Sequence, residues 1–201
     1  MAGASLATAV GPTDFLALHR DGRSGTLEFG VTGVDVMPAH FTRTPHDLGV
    51  AVLTLVAEGE LELVFDESGL LAAVNFGFVA GDLLPEGTLA ALGGEDGPML
   101  TFDGMELGRI ARLADFAAVS ETCGPFAITG RASDGWLRLS AENGGRVTRF
   151  EFLNRAENAP KQENHDYLLY GVSVVSMVYE KRLTGLMNSQ YGEDPCPMMS
   201  S

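Results

Sequence analysis

Residues whose types suit chemistry are few in this chain and mostly far apart. His40 and His46 lie in a loop punctuated by Pro38 and Pro45, with Asp35 and Asp47 nearby. Two imidazoles and a carboxylate would suit a zinc ion, but an H-x5-H pair in a loop has no recognised ligand spacing. Surface histidines are the expectation, and His165-Asp166 is read the same way. Cys123 has no histidine close in sequence, so the sequence singles out no base to take its proton. Cys196 lies 73 residues further on and completes no CxxC, so no disulfide framework is implied. Ser173 and Ser176 sit inside a strand-like run, without the G-x-S-x-G elbow that exposes a nucleophilic serine. Glu58, Glu60 and Glu62 alternate as a solvated sheet face does, rather than as a catalytic carboxylate pair. Gly93-Gly94 and Gly144-Gly145 match neither a P-loop nor a dinucleotide fingerprint. The sequence therefore predicts no catalytic residue, no metal ligand and no cofactor.

Charge narrows the partners. Thirteen Lys and Arg against 27 Asp and Glu leave a net charge of −14, and only Lys161 and Lys181 are lysines. Such a balance repels phosphate backbones and anionic lipid, so neither nucleic-acid binding nor membrane docking is expected. The N-terminal Met1–Val10 is apolar but lacks a basic flank, and no signal peptide is expected. No window reaches the length of a membrane span, so a soluble protein is expected. A hydrophobic fraction of 45% is ample for a core.

The elements that would position these residues are mainly strands. Glu60–Phe65 turns through Asp66-Glu-Ser-Gly69 into Leu70–Val79, and Trp136–Ser140 turns through Glu142-Asn-Gly-Gly145 into Val147–Leu153. Each reads as an antiparallel hairpin, with Leu61, Leu63, Leu137 and Leu139 facing apolar surroundings. The second is expected to turn at Asn143-Gly144 with left-handed backbone. Trp136 reads as a sheet anchor. Asp14–Arg20 suits a short helix or strand. Thr26–Phe29, Val34–Met37, Ala51–Val56 and Phe126–Thr129 read as strands, and Tyr167–Tyr179 as a long final one. The principal helix is expected over 105–119, behind Asp103 as its cap, although Gly108 costs it about 1 kcal/mol. The predicted fold is mainly β: a two-layer antiparallel β-sandwich or flattened barrel with that one helix. A single β-rich domain is expected over 1–183, with a C-terminal tail at 184–201.

One stretch resembles a known family. Gly59-Glu-Leu-Glu-Leu-Val-Phe65, followed by Gly81, Asp82, Pro85 and Gly87, is similar to the GELEL-like strand and Gly-Asp…Pro-x-Gly corner of a cupin barrel. The resemblance covers about thirty residues. It would imply a small-molecule-binding barrel, enzymatic or regulatory. The family's metal histidines have no counterpart, because residues 49–59 contain none and the first after Pro85 is His165.

The thirteen residues 154–166 contain no large apolar side chain, which is long for a connection inside one domain. Ordering them costs about 1 kcal/mol or more per residue, and contacts from another subunit are the simplest compensation. Arg155, Lys161, His165 and Tyr167 are thus candidate interface residues in a homo-oligomer. Function follows from these expectations: a non-enzymatic, self-associating structural protein of the virion or phage-tail kind, whose acidity suits a surface nucleic acid passes without sticking.

Overall fold

The computed structural model describes residues 13–36, 42–45, 51–56, 60–77, 100–107, 112–123, 127–131, 136–154, 167–182 and 184. It is mainly β, as the alternating apolar patterns require. Eight strands form one antiparallel sheet: β4 (Thr42–Pro45), β5 (Ala51–Val56), β6 (Glu60–Phe65), β7 (Leu71–Gly77), β10 (Ala127–Arg131), β11 (Trp136–Asn143), β12 (Arg146–Asn154) and β13 (Tyr167–Ser176). Two meanders meet in the middle, giving the order β10-β11-β12-β13-β7-β6-β5-β4. The seam is β13 against β7, with Val174 opposite Val74. A bulge lets β13 carry one extra residue, Tyr170, where Glu151 and Phe152 face Gly171 and Leu169. At Gly171 a Cβ would stand 3.0 Å from the Phe76 carbonyl oxygen, so this close pairing needs glycine.

A second layer covers one face of the sheet. It contains β1 (Thr13–Asp14), the short helix α1 (Phe15–Asp21), the hairpin β2 (Arg23–Ser24) and β3 (Leu27–Glu28), the pair β8 (Leu100–Phe102) and β9 (Met105–Glu106), and helix α2 (Leu113–Cys123). β1 pairs parallel with β8, and β8 antiparallel with β9. Between the layers Leu61, Leu63, Phe65, Leu137, Leu139, Phe150, Phe152, Val172 and Val174 meet Phe15, Leu18, Phe102 and Phe116. All four leucines expected to face inward do so. Phe116 is the hub of an aromatic cluster, its ring centroid 4.3 Å from Phe150, 5.5 Å from Phe152 and 5.7 Å from Phe102. Burying each such side chain contributes about 1.5–3 kcal/mol.

The opposite face is partly covered too. Residues 177–182 are helical and begin with the Met177 amide donating to the Gly145 carbonyl at 2.9 Å. Tyr179 packs there against Val64, Ala73 and Val175. Ion pairs Arg149–Glu180 and Arg182–Glu67 flank it.

Several boundaries differ from expectation. Helix α2 begins at Leu113 rather than 105, because Asp103 and Gly104 both take positive φ and turn Met105–Glu106 back as a strand. Val34–Val36 is a 3-10 turn, not a strand: its chain docks on the β6–β7 turn and the start of β7 through Val34 N donating to Gly69 O and Gly30 N to Leu71 O. The last strand stops at Ser176 rather than Tyr179, where the 177–182 helix starts. The β11–β12 loop is Gly144-Gly145, with φ +53° and +78°, one residue later than Asn143-Gly144. Glycine takes both left-handed positions at no Cβ cost, which leaves Asn143 in the strand, paired with Arg146.

Candidate functional site: the polar seam around helix α1

Helix α1 has seven residues, too few for a helix to persist on its own propensity. Its apolar side, Phe15, Leu16 and Leu18, is buried against the sheet. Its two ends are fastened by polar groups from elements distant in sequence.

At the N-terminal end Asp14 has extended backbone, φ −101° and ψ 116°, and is the cap. Its Oδ1 accepts from the Ala17 amide at 2.9 Å. Its Oδ2 accepts from the Thr101 hydroxyl and from the Gly104 amide, each at 2.7 Å. The Asp14 amide donates to Ser24 Oγ at 2.7 Å. One carboxylate thus joins the helix start to the β8–β9 turn, and its backbone joins β2. Burial pushes the carboxyl pKa up, but the Gly104 and Ala17 amides and the Thr101 hydroxyl outweigh it, so the net displacement is downward. Asp14 is therefore ionised at neutral pH. Thr13 beside it is fully buried, and its hydroxyl finds no partner among the described residues.

At the C-terminal end Gly22 takes φ +74°, and its amide donates to Leu18 O at 3.0 Å. The carbonyls of His19 and Arg20 have no partner within the helix, and the β11–β12 turn supplies donors. Asn143 Nδ2 donates to His19 O at 3.2 Å and to Arg20 O at 3.3 Å. Arg146 Nε donates to His19 O at 3.2 Å, and its Nη2 to Arg20 O at 2.8 Å. The guanidinium lies between Gly22 and Gly144: a Cβ on either would come within 2.7 Å of an Arg146 nitrogen. A cation is also favoured where a helix dipole ends.

The imidazole of His19 points inward. It is 6% exposed and its Nδ1 lies 2.9 Å from Thr148 Oγ1, on β12, which is fully buried. Burial lowers its pKa, and the positive charges of Arg146 and Arg20 lower it further. His19 is neutral at physiological pH. Chemically, then, the seam holds one committed carboxylate and one neutral imidazole at opposite ends of a seven-residue helix, each engaged with scaffold groups.

Of the residues singled out from the sequence, Tyr167 is described: it opens β13 opposite Asn154 and packs half-buried against the core. Arg155, Lys161 and His165 lie outside the described residues, as do His40, His46, Asp47, Glu58, Asp166, Cys196 and the Gly81–Gly87 corner. Asp35 is exposed on the 3-10 turn, Ser173 and Ser176 are half-buried in β13, and Cys123 ends α2. Among the described residues no group of three His, Cys, Asp or Glu side chains lies close enough to hold a metal ion. No described helix is long and apolar enough to cross a membrane. The seam itself escaped the sequence reading. Asp14 before an apolar run and Gly22 just past it are a legible cap pair, but nothing in sequence ties Asn143 or Arg146 to positions more than 120 residues away. No family model, curated protein or solved structure matches this chain.

Proposed function

We propose that the chain is a structural protein that associates with copies of itself, of the kind that builds virion or phage-tail assemblies. The observation that carries this reading is the form of the large sheet. Among the described residues its terminal strands, β4 and β10, are each paired on one side only. Eight is an even number of alternating strands, so β4 and β10 run in opposite directions. A second copy placed beside the first by rotation about an axis along the strands would set its β10 antiparallel to the first copy's β4, with the same face inward. The alternation continues from copy to copy, and a closed ring is the natural product. The edges are short, four residues in β4 and five in β10, so one junction alone is weak. Closing a ring gives every copy two junctions.

The polar seam supports the same reading. Asp14 and His19, an acid and a base whose ionisation is displaced, spend hydrogen bonds on holding α1 to the scaffold. The twelve residues 155–166 join Asn154 and Tyr167, which are already paired across β12 and β13. Arg155, Lys161 and His165 are proposed to meet carboxylates of a neighbouring copy, which a chain of net charge −14 supplies in excess. That acidity suits a surface along which nucleic acid passes without adhering.

Native mass spectrometry of the purified protein, with 156–163 replaced by a Gly-Ser turn in a second sample, tests the proposal. A high-order species for the parent chain, lost in a shortened variant that still folds, is expected. A parent chain that stays monomeric over a wide concentration range overturns self-association. Normal assembly of the shortened chain removes the 155–166 segment from the interface.

A further inference from the structure

Asn143 serves the fold twice. Its backbone pairs with Arg146 at the end of the β11–β12 ladder, and its Nδ2 donates to the His19 and Arg20 carbonyls at 3.2 and 3.3 Å. It is followed by Gly144, and this is the one Asn-Gly pair in the sequence. Asn143, Gly144 and Gly145 are all exposed. Asparagine side chains are chemically labile, and the residue that follows sets how labile. Glycine has no Cβ to shield its amide nitrogen, so that nitrogen can reach the asparagine Cγ more easily than in any other pair.

We propose that Asn143 is a site of spontaneous deamidation, and that its conversion unfastens the C-terminal end of α1. The step needs only water. The Gly144 amide gives its proton to solvent base, and its nitrogen bonds to Asn143 Cγ to close a succinimide ring. The Cγ–Nδ2 bond breaks, and Nδ2 leaves as ammonia. Water then opens the ring at either carbonyl. One opening gives aspartate; the other gives isoaspartate, in which the main chain runs through Cβ and Cγ and the α-carboxyl becomes the side group. The sum is an amide plus water going to a carboxylic acid plus ammonia, with nothing oxidised or reduced.

The fold governs both the rate and the consequence. In the intact turn Asn143 is held in the strand opposite Arg146, and its leaving group is engaged by α1. Ring closure requires Asn143 to rotate out of the ladder, so the reaction runs from the opened turn and the clamp restrains it. After conversion a donor has become an acceptor. The new carboxylate faces the His19 and Arg20 carbonyls, at the helix end where the dipole disfavours an anion. It also competes with those carbonyls for the Arg146 guanidinium, whose Nε and Nη2 they accept. Isoaspartate adds a main-chain carbon between β11 and the turn and disturbs the pairing with Arg146 as well. The start of α1 stays tied through Asp14, and the apolar contacts of the sheet are untouched, so the release is local.

Ageing of the full chain in mildly alkaline buffer at 37 °C, followed by acidic digestion and peptide mapping by mass spectrometry, tests the site. The peptide holding Asn143 is expected to show the mass change from amide to acid and to contain isoaspartate, while the peptide holding Asn75, inside β7 and followed by Phe76, stays unchanged. In urea, where the turn is open, conversion of Asn143 is faster. Conversion in urea with none in the folded protein overturns the site, and equal rates overturn the restraint by the clamp. Hydrogen exchange of Asn143→Asp, one product made uniform, reads the consequence. Amides of residues 18–22 are expected to lose protection by about tenfold, the worth of one or two net hydrogen bonds, while β6 and β7 keep theirs. Unchanged protection of 18–22, or a loss that spreads to β6 and β7, overturns the release of α1. Should Asn143→Asp fail to fold, the aged parent decides: 18–22 should exchange as two populations whose ratio follows the extent of conversion, and a single population in half-converted protein overturns the proposal. Ageing of Asn143→Gln, whose longer side chain closes the ring far more slowly, should leave exchange of 18–22 as it was when fresh, and a loss equal to the parent's overturns Asn143 as the cause.

Discussion

Asp14→Ala removes one carboxylate and strands several donors at once, among them the Ala17 amide, the Thr101 hydroxyl and the Gly104 amide. The cap alone is worth about 0.5–2 kcal/mol. Hydrogen bonds to a charged acceptor are worth about 1.5–3 kcal/mol each, but they do not add, since water reaches a half-exposed site and takes up part of the freed donors. The Gly104 contact is exposed and is the first to be replaced in this way. A total of about 2–4 kcal/mol results. For a chain of this length each kcal/mol moves the melting temperature by about 2–4 °C, so a fall of roughly 5–15 °C is expected.

The companion Asp14→Asn keeps an acceptor for the cap and loses the charge, so at neutral pH it falls between parent and alanine. Because folding displaces the Asp14 pKa downward from 3.8, the parent's advantage is complete above about pH 4 and is lost as pH falls through the lower folded value. Urea unfolding at pH 7 and near pH 3 reads both effects. The gap between parent and Asp14→Asn should narrow at the acid end, which isolates Asp14 from the other carboxylates that titrate there. A cost for Asp14→Ala under about 0.5 kcal/mol at neutral pH, the ordinary effect of a surface change, would refute the clamp. A parent–Asn gap independent of pH would refute the charge as its cause.

Two further substitutions probe the packing. Gly144→Val forces a β-branched residue to φ +53° and pushes its Cβ onto the Arg146 guanidinium, so urea unfolding should register a loss of about 2 kcal/mol. An unchanged midpoint would count against the assigned turn. Phe116→Ala empties the hub of the aromatic cluster and should cost about 3–5 kcal/mol, enough to leave much of the protein unfolded at 37 °C.

How much of this was legible in the sequence depends on how far apart the interacting residues are. The β6–β7 and β11–β12 hairpins could be read directly, because an alternating apolar pattern and a Gly-containing turn are local signals. Leu61, Leu63, Leu137 and Leu139 face inward as that pattern demands. The start of α2 was misplaced for an equally local reason. Met105 has helical spacing to later apolar residues, but Asp103 at φ +54° and Gly104 at φ +73° commit the chain to a reversal first. The polar seam was invisible. Asp14 reaches Thr101 across 87 residues and Arg146 reaches His19 across 127, and no spacing rule spans such gaps. The sequence reading searched for chemistry among histidines close to each other or to an aspartate. The described imidazole, His19, is followed in the chain by Arg20 and Asp21, a pairing that signals no site.

That placement bears on why α1 exists at all. Seven residues cannot hold a helix in water, and α1 lies between two hairpins that form from local signals of their own. Its apolar side supplies the burial that closes the sheet's concealed face, and its ends supply unmet amides and carbonyls that only correct docking satisfies. Asp14 checks one hairpin, β8–β9, and Asn143 with Arg146 check the other, β11–β12. A docking error by one residue along α1 would strip the half-buried His19 carbonyl and the exposed Arg20 carbonyl of their side-chain donors, at a cost of about 1–3 kcal/mol for the buried one and less for the other, which water reaches. Polar groups of this kind add little net stability when satisfied and a large penalty when misplaced. They select the register in which the apolar layers meet, which the leucines and phenylalanines, attracted without direction, do not select for themselves.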